Sequence, residues 1–154
     1  MDGARAREVL GEILAKMGID ANVELVEEEQ RITLDVKGRE AGLVIGKKGQ
    51  TLEALQFLVQ KIAHRGREGE EGLKAIVVDA EGYRARREGS LVEMATRLGE
   101  KARATGRTIT VNPMSPHDRR IIHITLDKVP GVTTRSEGEG VFRRLLIIPA
   151  PDKA

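Results

Sequence analysis

The 154-residue sequence contains no cysteine and no tryptophan, one tyrosine and two phenylalanines. Without cysteine there is no disulfide and no thiolate metal site, which fits a reducing compartment. Phe57, Tyr83 and Phe142 are too few aromatics for the stacking platform on which many RNA-binding sheets and barrels hold bases. No apolar run approaches the roughly 20 residues of a membrane span, so no membrane insertion is expected. The start, Met1 to Glu8, is charged and does not read as a signal peptide, which makes a cytoplasmic location the expectation. His64, His117 and His123 are the only histidines, and none forms an H-x-x-x-H or H-E-x-x-H pair. A metal site is therefore not expected, and no cofactor is. Asp118 beside His117 fits a helix start better than acid–base chemistry.

Charge is present in quantity but unevenly. Residues 1–79 carry 12 Lys and Arg against 15 Asp and Glu, a net −3; residues 80–154 carry 14 against 9, a net +5. The second half is the better partner for a polyanion. The first half needs its positive charge concentrated, and Lys47 and Lys48 do that. They stand in Leu43-Val44-Ile45-Gly46-Lys47-Lys48-Gly49-Gln50-Thr51-Leu52, where two glycines bracket two lysines before an amphipathic segment. Glycine permits a tight turn and close backbone approach, and the lysines give the approached group a negative sign. A following helix would aim its free N–H groups at the same spot. The alternative is a turn that merely joins two helices. It leaves the paired lysines at the tip unexplained. The segment is no nucleotide-binding P-loop, because the four-residue spacer and the Lys-Ser/Thr ending are missing.

Apolar spacing predicts a helix through Val9, Leu10, Ile13, Leu14 and Met17, then alternating strands at Asn22 to Glu27 and Arg31 to Val36. Glu27, Glu28 and Glu29 read as a solvated hairpin end. A short helix is expected from Glu40 to Ile45. A longer one follows the glycine loop, with Leu52, Leu55, Leu58, Val59 and Ile62 on one face, and a strand from Leu73 to Asp79 closes the half. This α-β-β-α-α-β order resembles a type II KH domain, and Gly46-Lys47-Lys48-Gly49 resembles its GXXG loop. That resemblance implies that the loop clamps the backbone of a single-stranded nucleic acid. It implies phosphates at Gly46, Lys47, Lys48 and Gly49, and bases along Ile45, Leu52 and one face of Arg31 to Val36.

The second half opens with a helix expected from Gly82 to Thr105, with Leu91, Met94, Ala95, Leu98 and Ala102 inward and Arg84, Arg87, Arg97, Lys101 and Arg103 outward. A strand, Thr108 to Asn112, ends at Pro113. Ser115 and Pro116 mark a helix start, with helix expected to about Lys128, although Ile121 to Leu126 also reads as a strand. Strands at Val132 to Glu137 and Phe142 to Ile148 flank the turn Gly138-Glu139-Gly140. In a helix, Arg119 and His123 share a face. Such a pair is common, and spacing alone favours a solvated arginine beside a structural histidine. The context favours a site. Pro113 to Pro116, Arg119 to His123 and Ser136 to Gly140 followed by Arg143-Arg144 resemble the R-x-x-x-H ("R-three-H") domain, a single-stranded nucleic-acid module. Tyr83, Arg84, Arg86 and Arg87 resemble the basic start of its first helix.

The layout as a whole, from about Ala4 to Pro149, is similar to that of the bacterial Jag family. The expected class is α+β: a KH domain at 1–80, then at 81–150 a small α/β domain with two helices on a three-stranded sheet. Many Jag proteins carry an additional N-terminal domain and linker, whereas this sequence begins at the KH helix. The resemblance implies a non-enzymatic protein that binds single-stranded RNA, or single-stranded DNA, through the loop and through Arg84, Arg87, Arg119, Arg120, His123, Arg143 and Arg144. It further implies a post-transcriptional regulator or RNA chaperone linked to cell-envelope or cell-shape control, pairing with a small single-KH protein or with itself. Two rivals stand beside it: an interaction scaffold whose KH surface dimerises, and a nucleic-acid-processing enzyme dependent on His123.

Overall fold

A computed structural model describes residues 2–150; Met1, part of the expected first domain and N-terminal stretch, and residues 151–154 lie outside them. The chain divides between Arg84 and Ala85 into two units, each with its own core.

In the first unit, Ala6, Leu10 and Leu14 recur every fourth residue and bury one stripe of α1 (Asp2–Lys16). The strands β1 (Asn22–Glu27) and β2 (Arg31–Lys37) pair antiparallel, with Val23 opposite Val36 and Leu25 opposite Leu34. The third strand, β3 (Ala75–Ala80), joins β2 in parallel, with Ile32 beside Ile76 and Leu34 beside Val78. Period-two alternation puts Ile32, Leu34, Val36, Ile76, Val78 and Ala80 on the buried face. A parallel pair needs a long crossover. Here it contains two 3-10 turns, Ala41–Val44 and Lys47–Gly49, and α2 (Gln50–Ala63). The glycine loop is therefore part of the crossover, anchored at both ends.

Two expectations change in this unit. The segment expected as a helix from Glu40 to Ile45 is one 3-10 turn, because Gly46 turns the chain before an α-helical turn can repeat. Leu58 and Ile62 are not in the core. The buried stripe of α2 is Leu52, Leu55, Val59 and Ala63, and Leu58 (45% exposed) and Ile62 (40%) lie on its flank beside Phe57 (61%).

Helix α3 (Tyr83–Thr105) begins with two residues that count with the first unit. In the second unit its stripe of Leu91, Ala95, Gly99 and Ala102 is buried. The sheet there has the order β4 (Ile109–Val111), β6 (Arg144–Pro149), β5 (Val132–Glu137), antiparallel throughout. Between β4 and β5 runs α4 (Pro116–Asp127). The segment that also read as a strand is thus helical. Ser115 caps it by accepting the Asp118 N–H (3.2 Å), Pro116 occupies its first turn, and Ile122 and Leu126 fill the core. Phe142, expected to begin the last strand, instead ends a 3-10 turn, Gly140–Phe142, and is 78% exposed. Register explains this: Glu137 pairs with Arg144, so everything between them is turn. Among the described residues no helix is long and apolar enough to cross a membrane.

Candidate nucleic-acid interface

The glycine loop is held by its own backbone. Gly46 has φ 70° and ψ −177°, a combination essentially confined to glycine, and a Cβ there would meet the Thr51 hydroxyl oxygen at 2.2 Å. Lys48 has φ 54° and ψ 26°, a left-handed conformation that a side chain tolerates only at a cost of about 1–2 kcal/mol. Gly49 is also left-handed, with φ 78°.

The first four N–H groups of a helix lack helical partners. Here the loop's carbonyls take them: Gly49 N donates to Gly46 O (3.4 Å), Gln50 N to Lys47 O, Thr51 N to Ile45 O (3.2 Å) and Leu52 N to Ile45 O (3.3 Å). The expectation that the helix end supplies the anion donors is therefore corrected. The open donors lie just before it: the amides of Gly46, Lys47 and Lys48 donate to no described carbonyl or side chain. Consecutive open amides on a turn form a concavity suited to an anion. Gly46, Lys47 and Lys48 are exposed, and neither ammonium group has a partner among the described residues.

The other expected residues of the loop and groove divide by burial. Ile45 is half-buried and packs against the core. Leu52 is fully buried, as are Ile32, Leu34 and Val36. These side chains support the loop and sheet from within and present no surface to a base.

In the second unit, α4 and β5 bring the R-x-x-x-H residues to one groove of about 300 Å³, lined by Arg119, Arg120, His123, Thr134, Ser136 and Leu145 together with Pro116. Arg119 donates to Met114 O (3.2 Å) and the Ser136 hydroxyl (3.3 Å), which fixes its fork. His123 Nδ1 is hydrogen-bonded to the Thr134 hydroxyl, and Asp127 Oδ2 lies 3.7 Å from Nε2. Arg120 is exposed and has no partner among the described residues.

The remaining arginines are engaged within the chain. Arg143 donates to Gly138 O (2.6 Å) and Ser136 O (3.4 Å), bracing the β5–β6 turn. Arg144 pairs with Glu137 (2.9 Å) across the same strands. Arg87 holds the nearly buried Asp118 at 3.0 Å, tying α3 to the start of α4. Arg84 is tied to the first unit, where it donates to Val78 O (2.8 Å), Glu53 (2.6 Å) and Gln56 (2.9 Å). Sequence spacing assigned no role in the groove to Thr134. Its signal was present, since Thr134 and Ser136 alternate along β5 on the face that meets α4.

Residues 5–79 match the KH-domain family model of KhpA/KhpB, and residues 89–149 match the R-three-H domain model. The RNA-binding protein KhpB of Clostridium symbiosum is 38% identical over 131 residues, 85% of this chain and 58% of that protein. The RNA-binding protein KhpB of Bacillus subtilis is 36% identical over 129 residues, 82% of this chain and 61% of that protein. A third, from Streptococcus pneumoniae, is 27% identical over 135 residues. The chain thus spans 58% and 61% of the length of the first two relatives.

Proposed function

We propose that this chain, which belongs by its two halves to the KhpA/KhpB-type KH family and the R-three-H family in the order of the Jag proteins, binds single-stranded RNA at two separate sites. The observation that carries this reading is the loop: three open amides and two unpartnered lysines on a turn that only glycine can form at Gly46. Amides and ammonium groups recognise phosphate without reading sequence. The second site is the α4–β5 groove, where Arg119 is pre-positioned and Arg120 is open. Two weak sites on one chain raise affinity through effective concentration, when a strand is long enough to engage both. The names of the relatives as RNA-binding proteins support RNA as the ligand, with single-stranded DNA as the competitor to test. The protein acts by binding and not by catalysis. Its resemblance to the Jag family supports a cytoplasmic regulator or RNA chaperone acting on cell-envelope or cell-shape functions, alongside a small single-KH partner. Our domain bounds, 1–80 and 81–150, lie four residues before the division of the chain into two units between Arg84 and Ala85.

The test is crosslinking and sequencing of bound RNA with the Lys47→Asp/Lys48→Asp variant beside wild type. Both side chains are exposed, so the fold should hold, which circular dichroism checks. Loss of KH-dependent crosslinks is expected. A variant RNA profile identical to wild type refutes the loop assignment.

A second reading rests on Phe57, Leu58 and Ile62, exposed together on α2. It makes the KH half a protein-contact surface. A dimer insensitive to salt, without RNA affinity, would favour it; RNA affinity falling steeply with salt favours the first reading.

A further inference from the structure

Beyond Arg119 and Arg120 the groove of the second unit opens into a larger compartment of about 710 Å³, between the C-terminal end of α4 and the start of β5. The two compartments share His123 and Thr134. This volume lies within the roughly 300–1,000 Å³ of small-ligand clefts. Val129, Pro130 and Val132 are part of its apolar lining, and two charged side chains, Arg103 and Asp127, line it as well.

Asp127 runs against its surroundings in two respects. It is the last residue of α4, where the negative end of the helix dipole disfavours a carboxylate. It also borders a groove whose arginines suit a polyanion, so it repels every phosphate that enters. Its contact with His123, four residues earlier and 3.7 Å away, has the weaker charge order along a helix, and both side chains are more than half exposed. A residue that breaks local rules without a structural return points to function.

In a groove for single-stranded RNA, a carboxylate can accept hydrogen bonds from a base edge. The four bases differ in what they offer. Guanine presents adjacent N1–H and N2–H donors, which match the two carboxylate oxygens, with the O6 acceptor next to them. Adenine and cytosine each present one amino group beside a ring-nitrogen acceptor that would face the carboxylate. Uracil presents one N–H between two carbonyls. Arg103, on the same compartment, donates from Nη1 to Pro130 O (3.5 Å), and its other guanidinium N–H groups supply the donor that O6 requires. We propose that this compartment is a guanine subsite, in which Asp127 accepts from N1–H and N2–H, Arg103 donates to O6 and the apolar lining contacts the ring. The inference rests on the RNA-binding reading above and adds a base preference to it.

The test uses the full chain and fluorescein-labelled oligouridines of about eight nucleotides, either unaltered or with one central G, A or C, measured by fluorescence anisotropy. Wild type should bind the G-containing strand about fivefold or more tighter than the all-U strand. Asp127→Asn should abolish that preference while the all-U strand binds at least as well, because a repulsive charge is gone. Arg103→Lys, which keeps charge and loses the fork, should also reduce it. Asp127→Asn removes an acid from a helix C-terminus, so an unchanged or raised thermal midpoint excludes misfolding as the cause. Equal tightening of all four strands by Asp127→Asn makes Asp127 a surface charge only and overturns the proposal. So does the absence of a G preference in wild type, even where salt-sensitive RNA binding survives. Failure of every strand to bind overturns the RNA-binding reading as well.

Discussion

A Cβ built on Gly49 would lie 2.7 Å from Cε1 of Tyr83, so the chain's one tyrosine packs directly behind the glycine loop. Tyr83 belongs with the core of the first unit. The loop is thus tight in two places: Gly46 against Thr51, and Gly49 against a ring that arrives 34 positions later in sequence.

Gly49→Ala should therefore destabilise the first unit by about 2–4 kcal/mol, from left-handed strain and overpacking together. Combined with Tyr83→Ala it should cost less than the two changes added, since removing the ring removes the clash. Urea denaturation of the four chains measures this. Strict additivity would show that the ring is not what excludes a side chain.

The lysines of the loop predict a salt slope. Each phosphate contact to a single strand contributes about 0.7 to the fall of log affinity with log salt, so Lys47→Ala/Lys48→Ala should lower that slope by about 1.4. Titrations of one labelled oligonucleotide at several salt concentrations measure it. An unaltered slope with weaker binding would mean that the lysines act without touching phosphate.

Arg87 and Arg120 should separate stability from binding. Arg87→Ala leaves the nearly buried Asp118 carboxylate unpaired, at a cost of about 3 kcal/mol. Arg120 is open, so Arg120→Ala should change stability by less than about 0.5 kcal/mol. It should still lower the RNA salt slope by about 0.7. Thermal melts with parallel binding titrations decide this. A stable Arg87→Ala protein with selectively lost RNA affinity would move Arg87 from scaffold to binding surface.

Acid should act through two ion pairs of the first unit. The hydrogen bond from Arg67 to Asp2 (2.6 Å) and that from Lys74 to Glu27 (2.8 Å) are the main reasons both carboxyls titrate below their ordinary range. A depressed folded value means that the stability they lend is complete above the ordinary carboxylate range, near pH 4. It is lost as pH falls through the lower folded values. The thermal midpoint of wild type should fall more steeply below about pH 4 than that of Asp2→Asn/Glu27→Gln. Superimposable acid profiles would clear these pairs of any part in acid unfolding.

Much of the architecture was legible because it rests on local periodicity. Ile32, Leu34 and Val36 alternate as a half-buried strand must, and Ser115-Pro116 marks the start of α4 in cap chemistry alone. Period failed where an element has more apolar residues than its buried stripe can take. Leu58 and Ile62 fit a helical face, but the contact of α2 with the sheet and α1 is narrower than that face. It failed again at Phe142, because the register of β5 with β6 sets the turn and neither strand's composition does. The donors of the glycine loop were placed at the helix end for a related reason. Only the folded loop shows that Ile45, Gly46 and Lys47 carbonyls consume those amides.

The sequence by itself determined the order of elements, the position of Gly46 to Gly49 on the crossover between β2 and β3, and the four-residue spacing of Arg119 and His123. Each depends on residues near one another in the chain, where periodicity, glycine chemistry and capping act. Tertiary structure alone decided which cations are available. Arg84 meets Glu53 and Arg87 meets Asp118, both 31 positions away, while Lys47, Lys48 and Arg120 meet no described partner. An arginine's charge is written in the sequence, but its partner is chosen by whichever carboxylate or carbonyl the fold brings within hydrogen-bond reach.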